Sequence, residues 1–127
     1  MIVLVTKDLF FVPVIRSACE KLGIQLLVVT RPDGPKIDAA PEEQVAACVI
    51  DLSSVSAASV GECVISLRQS FPAAKVIAFG PHVQTGRLAA AEEAECDQIL
   101  TRGQLSSQID RLAASWIQAQ PDSENAS

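Results

Sequence analysis

Five short apolar runs, at residues 2–5, 24–29, 46–50, 75–79 and 98–100, constrain this chain more than any other feature of its sequence. Most are rich in Val, Ile and Leu, and their apolar character is nearly continuous rather than alternating. A strand with one face in water alternates polar with apolar, whereas a strand covered on both faces does not. The runs therefore read as strands of a parallel sheet with helices on each side.

The segments between the runs carry the matching helical spacing. Val12, Ile15, Cys19 and Leu22 recur every three or four residues and stop at Gly23, a residue suited to a left-handed helix end. Pro13 is tolerated in a first turn only, which places the start near Phe11 or Val12. Val60, Val64, Leu67 and Phe71 form a second stripe closed by Pro72, and Leu105, Ile109, Leu112, Ala113 and Trp116 form the last. Leu88, Ala91 and Ala94 make a weaker one. Between Thr30 and Glu43, Pro32, Gly34, Pro35 and Pro41 leave room for a loop and a short helix. From Gln118 to Ser127 the chain is polar and reads as a disordered tail, so the folded domain is expected over residues 1–117. Strands alternating with helices over 127 residues specify a single doubly wound α/β domain, a five-stranded parallel sheet in the order 2-1-3-4-5 with helices on both faces.

Charge and cysteine usage narrow the function. A net charge of −5 lacks the electropositive field that nucleic acid or an anionic membrane requires. Cys19, Cys48, Cys63 and Cys96 form no CxxC pair and the chain has one histidine, so neither a metal site nor any other cofactor is expected. The cysteines read as small buried hydrophobes in a reducing compartment. No apolar run approaches a membrane span and no secretory leader precedes residue 2, so a cytoplasmic protein is expected. In a sheet of this order, function collects at the carboxyl ends of the strands beside the switch point. That singles out Thr6, Lys7 and Asp8, then Asp51 and Ser53, then Gly80 to His82, then Thr101 to Gly103.

At these positions the chain resembles the response-regulator receiver domains, over residues 2 to about 117. Val49-Ile50-Asp51-Leu52 is similar to the strand bearing the receiver phosphoacceptor aspartate, and residues 94–102 resemble the stretch leading to the receiver lysine. The resemblance implies a flavodoxin-like fold and a role in two-component signal transduction. It also implies a site of two acids that hold Mg²⁺, a nucleophilic aspartate, a hydroxyl and a lysine. Asp51 matches the nucleophile. Thr6 and Lys7 stand where the acids belong, Gly80 in place of the hydroxyl, Arg102 in place of the lysine, Gly103 in place of the next proline and Ile99 in place of the aromatic switch residue. A lysine in the metal's place removes a ligand and repels the cation, so phosphotransfer is expected to fail.

The expected protein is thus a stand-alone pseudo-receiver, not an enzyme, that binds an unidentified signalling protein or a second copy of itself. Lys7 and Arg102 are expected to form an ion-pair network with Asp51 and Asp8, against the alternative of solvated loop charges. Asp8 reads as a helix cap ahead of a metal ligand. Asp51, Ser53 and His82 are residue types of a hydrolase triad, but no GxSxG elbow accompanies them. Two alternatives stand: a receiver phosphorylated atypically at Asp51, and a small-molecule domain of the cobalamin-binding type, whose loop Gly80-Pro81-His82 resembles although DxHxxG is absent. By resemblance the partner face lies over residues 84–117, with Arg87, Arg111 and Ile117 as its candidates. Trp116 reads as a core residue.

Overall fold

The computed structural model describes residues 1–118. Strands β1 (Ile2–Val5), β2 (Leu26–Val29), β3 (Ala47–Asp51), β4 (Lys75–Gly80) and β5 (Gln98–Thr101) form one parallel sheet in the order β2-β1-β3-β4-β5. Helices α1 (Val12–Lys21), α2 (Pro35–Ala39), α3 (Val60–Ser70), α4 (Thr85–Glu93) and α5 (Arg102–Gln118) fill the connections. The predicted fold class and strand order are those observed.

Alternation along each strand divides the core in two. Ile2 and Leu4, Ala47 and Val49, Ile77 and Phe79 point to one face, where Ile15 and Cys19 of α1 and Leu105, Ile109, Leu112 and Trp116 of α5 cover them. Val3 and Val5, Cys48 and Ile50, Val76 and Ala78 point to the other, under Ile37 of α2, Val60, Val64 and Leu67 of α3 and Ala91 of α4. Both sets are apolar because both faces are covered, which is why the runs in the sequence do not alternate.

Boundaries differ from the sequence reading by one residue at ends of β3, β4 and β5, and in three further places. β2 begins at Leu26 rather than residue 24, because Gly23 (φ +69°) turns the chain and Ile24 is still bonded back to Cys19 in α1. Leu22 lies past the last turn of α1 and is partly exposed, so it does not complete the buried stripe. Gln118 belongs to α5; the rest of the expected tail, 119–127, lies outside the described residues. No helix among the described residues is long and apolar enough to cross a membrane.

Candidate functional site

Register brings the site together. Val5 pairs with Ile50, so one residue further Thr6 stands beside Asp51, itself paired with Phe79. Two positions past Leu4 and Val49, Thr6 and Asp51 point to the α1/α5 face where its apolar layer ends. Asp51 is only 1 % exposed, and all its partners are neutral donors. Its Oδ2 accepts from the Thr6 hydroxyl (2.8 Å) and the Ser54 hydroxyl (3.3 Å), and its Oδ1 accepts from the Ser53 backbone N–H (3.0 Å). The last bond caps the 3-10 turn Leu52–Ser54 that leaves β3. Ser54 also accepts from the Lys7 backbone N–H (2.9 Å), tying the loops after β1 and β3 together.

The predicted ion-pair network does not form. Arg102 turns from Asp51: its Nη2 donates to Ser53 Oγ (2.8 Å) and its guanidinium lies over the Phe11 ring at 5.4 Å. Phe11 in turn meets Phe79 edge-on at 5.2 Å. Lys7 is exposed and joins no salt bridge among the described residues, where the ion pairs are Lys21 with Asp110, Arg31 with Asp33 and Arg68 with Asp97. The physical reason is burial. The carboxylate at this depth is satisfied at short range by hydroxyls and an amide fixed by the backbone; Lys7 keeps its hydration by staying outside, whereas Arg102 is partly buried, held by Ser53 and Phe11, with its Nε lacking a partner among the described residues.

The remaining positions have plain local roles. Asp8 caps the turn Leu9–Phe11, accepting from the Phe10 N–H (3.0 Å). Gly80 ends β4 against Leu52, and a Cβ built there would lie 3.2 Å from Leu52 Cβ, so the place of the receiver hydroxyl is filled by a buried leucine. His82 is exposed and makes no hydrogen bond to the described residues; Ser53 is held by Arg102, so no triad assembles. A magnesium ion does not fit these donors: Asp51 is sealed, Asp8 is turned to its cap, and Lys7 lies between Thr6 and Asp8. Sequence reasoning missed Ser54 and Phe11. Ser54 was legible as the serine three residues after an aspartate at a strand end; Phe11 was not, because its contact with Arg102 joins the turn before α1 to the start of α5.

A groove of about 380 Å³ separates α4 from β5 and α5, with Thr85, Ala89, Glu92, Ile99 and Gln104 among its walls. Of the three candidates for a partner face, Arg111 lies on this side of α5, seven residues from Gln104 and bonded to Gln108. Arg87 is turned by about 200° from Thr85 and bonds Gln84 on the other flank of α4. Ile117 is half-buried and falls two turns beyond Asp110, which pairs with Lys21 of α1, so it faces that side instead. Helix phase, rather than position in the sequence, separates them.

No family model and no curated protein matches the chain. Solved structures do. A response regulator from Thermotoga maritima superposes with a TM-score of 0.71 at 11% identity, covering 93% of this chain and 97% of that one. The receiver domain of a sensor histidine kinase from Pseudomonas aeruginosa PAO1, with magnesium coordinated in its active-site cleft, gives 0.69 at 18% identity over 93% and 97%. A CheY-like protein from the same organism gives 0.66 at 20% identity over 91% and 97%. The strand order, the full-length superpositions and the place of Asp51 at the end of β3 agree: this chain has the fold of the response-regulator receiver domains.

Proposed function

We propose that the protein is a pseudo-receiver, an interaction module of bacterial-type signal transduction that works without Mg²⁺-dependent phosphotransfer and is not an enzyme. One observation carries the reading: the carboxylate at the phosphoacceptor position is buried to 1 % and engaged on both oxygens by Thr6, Ser53 and Ser54. In-line attack on phosphorus needs an oxygen that a donor can reach and cations to neutralise the charge that develops. Here the oxygens are enclosed, and the donor set suits no magnesium ion. What the receiver frame retains is a shaped surface, and its partner is a signalling protein inside the cell.

Incubation with Mg²⁺ and acetyl phosphate, followed by intact-mass measurement beside a phosphorylatable receiver, is the direct test. The mass of this protein is expected to stay unchanged. A phosphoryl adduct mapped to Asp51 overturns the reading in favour of an atypically phosphorylated receiver. Gel filtration with cobalamin is expected to return colourless protein, since His82 has no hydrogen-bonded partner among the described residues to orient its ring.

A further inference from the structure

The turn after β1 exposes two consecutive large apolar side chains, Leu9 at 72 % and Phe10 at 73 %. A lone exposed leucine means little. Three further features give this pair a use.

The turn is held rigid. The Phe10 N–H donates to Asp8 Oδ1, the Asp8 N–H donates to Thr6 Oγ1 (3.0 Å), and Thr6 in turn donates to Asp51. The Phe10 ring meets Phe11 edge-on at 5.0 Å. Side chains fixed before binding lose little freedom on binding. Asp51 thus props an exposed lip.

A hollow adjoins the lip. Helix α2 has five residues and starts after Gly34 (φ +103°), and a hollow opens between it, the turn after β1 and the loop that leaves β2. The space is about 1040 Å³ and is lined by Leu9, Val28, Pro35, Lys7 and Lys36 among others, enough for several side chains of a peptide.

Charge gives the direction. Lys7, Arg31, Lys36 and Arg102 stand around the turn and hollow against Asp8, Asp33 and Asp38, whereas the rest of the chain carries six more acids than bases. Asp8 is engaged by its cap, Asp33 by Arg31 (2.9 Å) and Arg102 by Ser53. Among the described residues that leaves the ammonium groups of Lys7 and Lys36 outside any ion pair, against the single unpaired carboxylate of Asp38 in the lining.

We propose that the turn after β1 and the hollow beside it dock a segment of a partner protein whose large apolar side chain seats against Leu9 and Phe10 while flanking carboxylates meet Lys7 and Lys36. This rests on the reading of the protein as an interaction module and names the partner's chemistry. The surface is distinct from the groove between α4 and α5.

Photoreactive benzoylphenylalanine placed at Phe10 in one variant and at Ala89, on the wall of the α4 groove, in another tests it by irradiation in the native cell and sequencing of the cross-linked segment. From position 10 the expected segment carries a large apolar residue flanked by Asp or Glu. A synthetic copy should bind the purified protein, and Phe10→Ser and Lys7→Glu should each weaken that binding about tenfold or more while leaving the melting temperature in place. A basic segment, a second copy of this chain, or binding indifferent to both variants overturns the proposal. Cross-links from position 89 alone overturn it while the interaction-module reading stands; cross-links from neither position overturn both.

Discussion

Replacing Asp51 separates a structural acceptor from a chemical nucleophile, and the geometry sets the size of the effect. In Asp51→Ala three donors lose their acceptor. The Thr6 hydroxyl has a substitute, since the Asp8 carbonyl also lies 2.8 Å away, and the Ser54 bond is long at 3.3 Å on a half-buried residue. The Ser53 N–H has none, and losing a cap of this kind costs about 1–2 kcal/mol. Adding about 1–2 kcal/mol for the hole left by the side chain gives about 2–4 kcal/mol in all. Asp51→Asn keeps the shape. Its carbonyl can still accept from Ser53, and its amide can donate to Thr6 once that hydroxyl turns to Asp8, so the cost should be below about 1 kcal/mol. Urea unfolding followed by the fluorescence of Trp116, the chain's single tryptophan and a buried one, reads both values. Asp51→Ala within about 0.5 kcal/mol of the parent, or Asp51→Asn as damaging as Asp51→Ala, would refute the reasoning.

Restoring the receiver hydroxyl with Gly80→Thr should destabilise the fold. The new Cβ meets Leu52 Cβ at 3.2 Å, both residues are buried, and overpacking of about 1–3 kcal/mol exceeds the roughly 0.5–1 kcal/mol gained from the stiffer unfolded chain; a raised melting temperature would show otherwise. Burial pushes the Cys48 thiol up to about 12, and the Cys63 and Cys96 thiols up to about 11. Their protons are held longer in the folded state than in the unfolded one, so their contribution is intact below about pH 9 and is lost as pH rises toward these values. Melting temperature should therefore fall from pH 8 to pH 10.5, less steeply in Cys48→Ala, and an equal slope in that variant counts against the assignment. Trp116→Phe removes the indole N–H bond to Gln98 Oε1 (2.8 Å) along with core volume and should cost about 1–3 kcal/mol, partly shared with Gln98→Ala in a double-mutant cycle.

Most of the fold was legible because its evidence is local and periodic. The continuous runs marked strands covered on both faces, and the stripes of α1, α3 and α5 marked the faces that cover them. Errors fell at ends, as at Ile24, where a turn competes with a strand for the same apolar residue. Of the site, the residue types and their strand-end positions were legible, as was the cap role of Asp8. Their pairing was not. Opposite charges at Lys7, Arg102, Asp8 and Asp51 suggested a network, and sequence carries no depth with which to weigh hydration against attraction.

The division has a physical basis. Periodicity within one element is a property of consecutive residues, so the sequence by itself determined the sheet, its covering helices and the loss of the acidic pair at Thr6 and Lys7. Which donors reach Asp51 depends on the register of β1 against β3, on the turn that carries Ser53 and Ser54, and on the Phe11 ring that holds Arg102 away. Those contacts join residues more than forty positions apart in four of the six partnerships, Thr6 with Asp51, Lys7 with Ser54, Arg102 with Ser53 and Arg102 with Phe11, while the Asp51–Ser53 and Asp51–Ser54 bonds are local. Only the packed tertiary structure, by excluding water around Asp51 and leaving Lys7 outside, decided that hydroxyls and an amide rather than cations would meet the buried carboxylate.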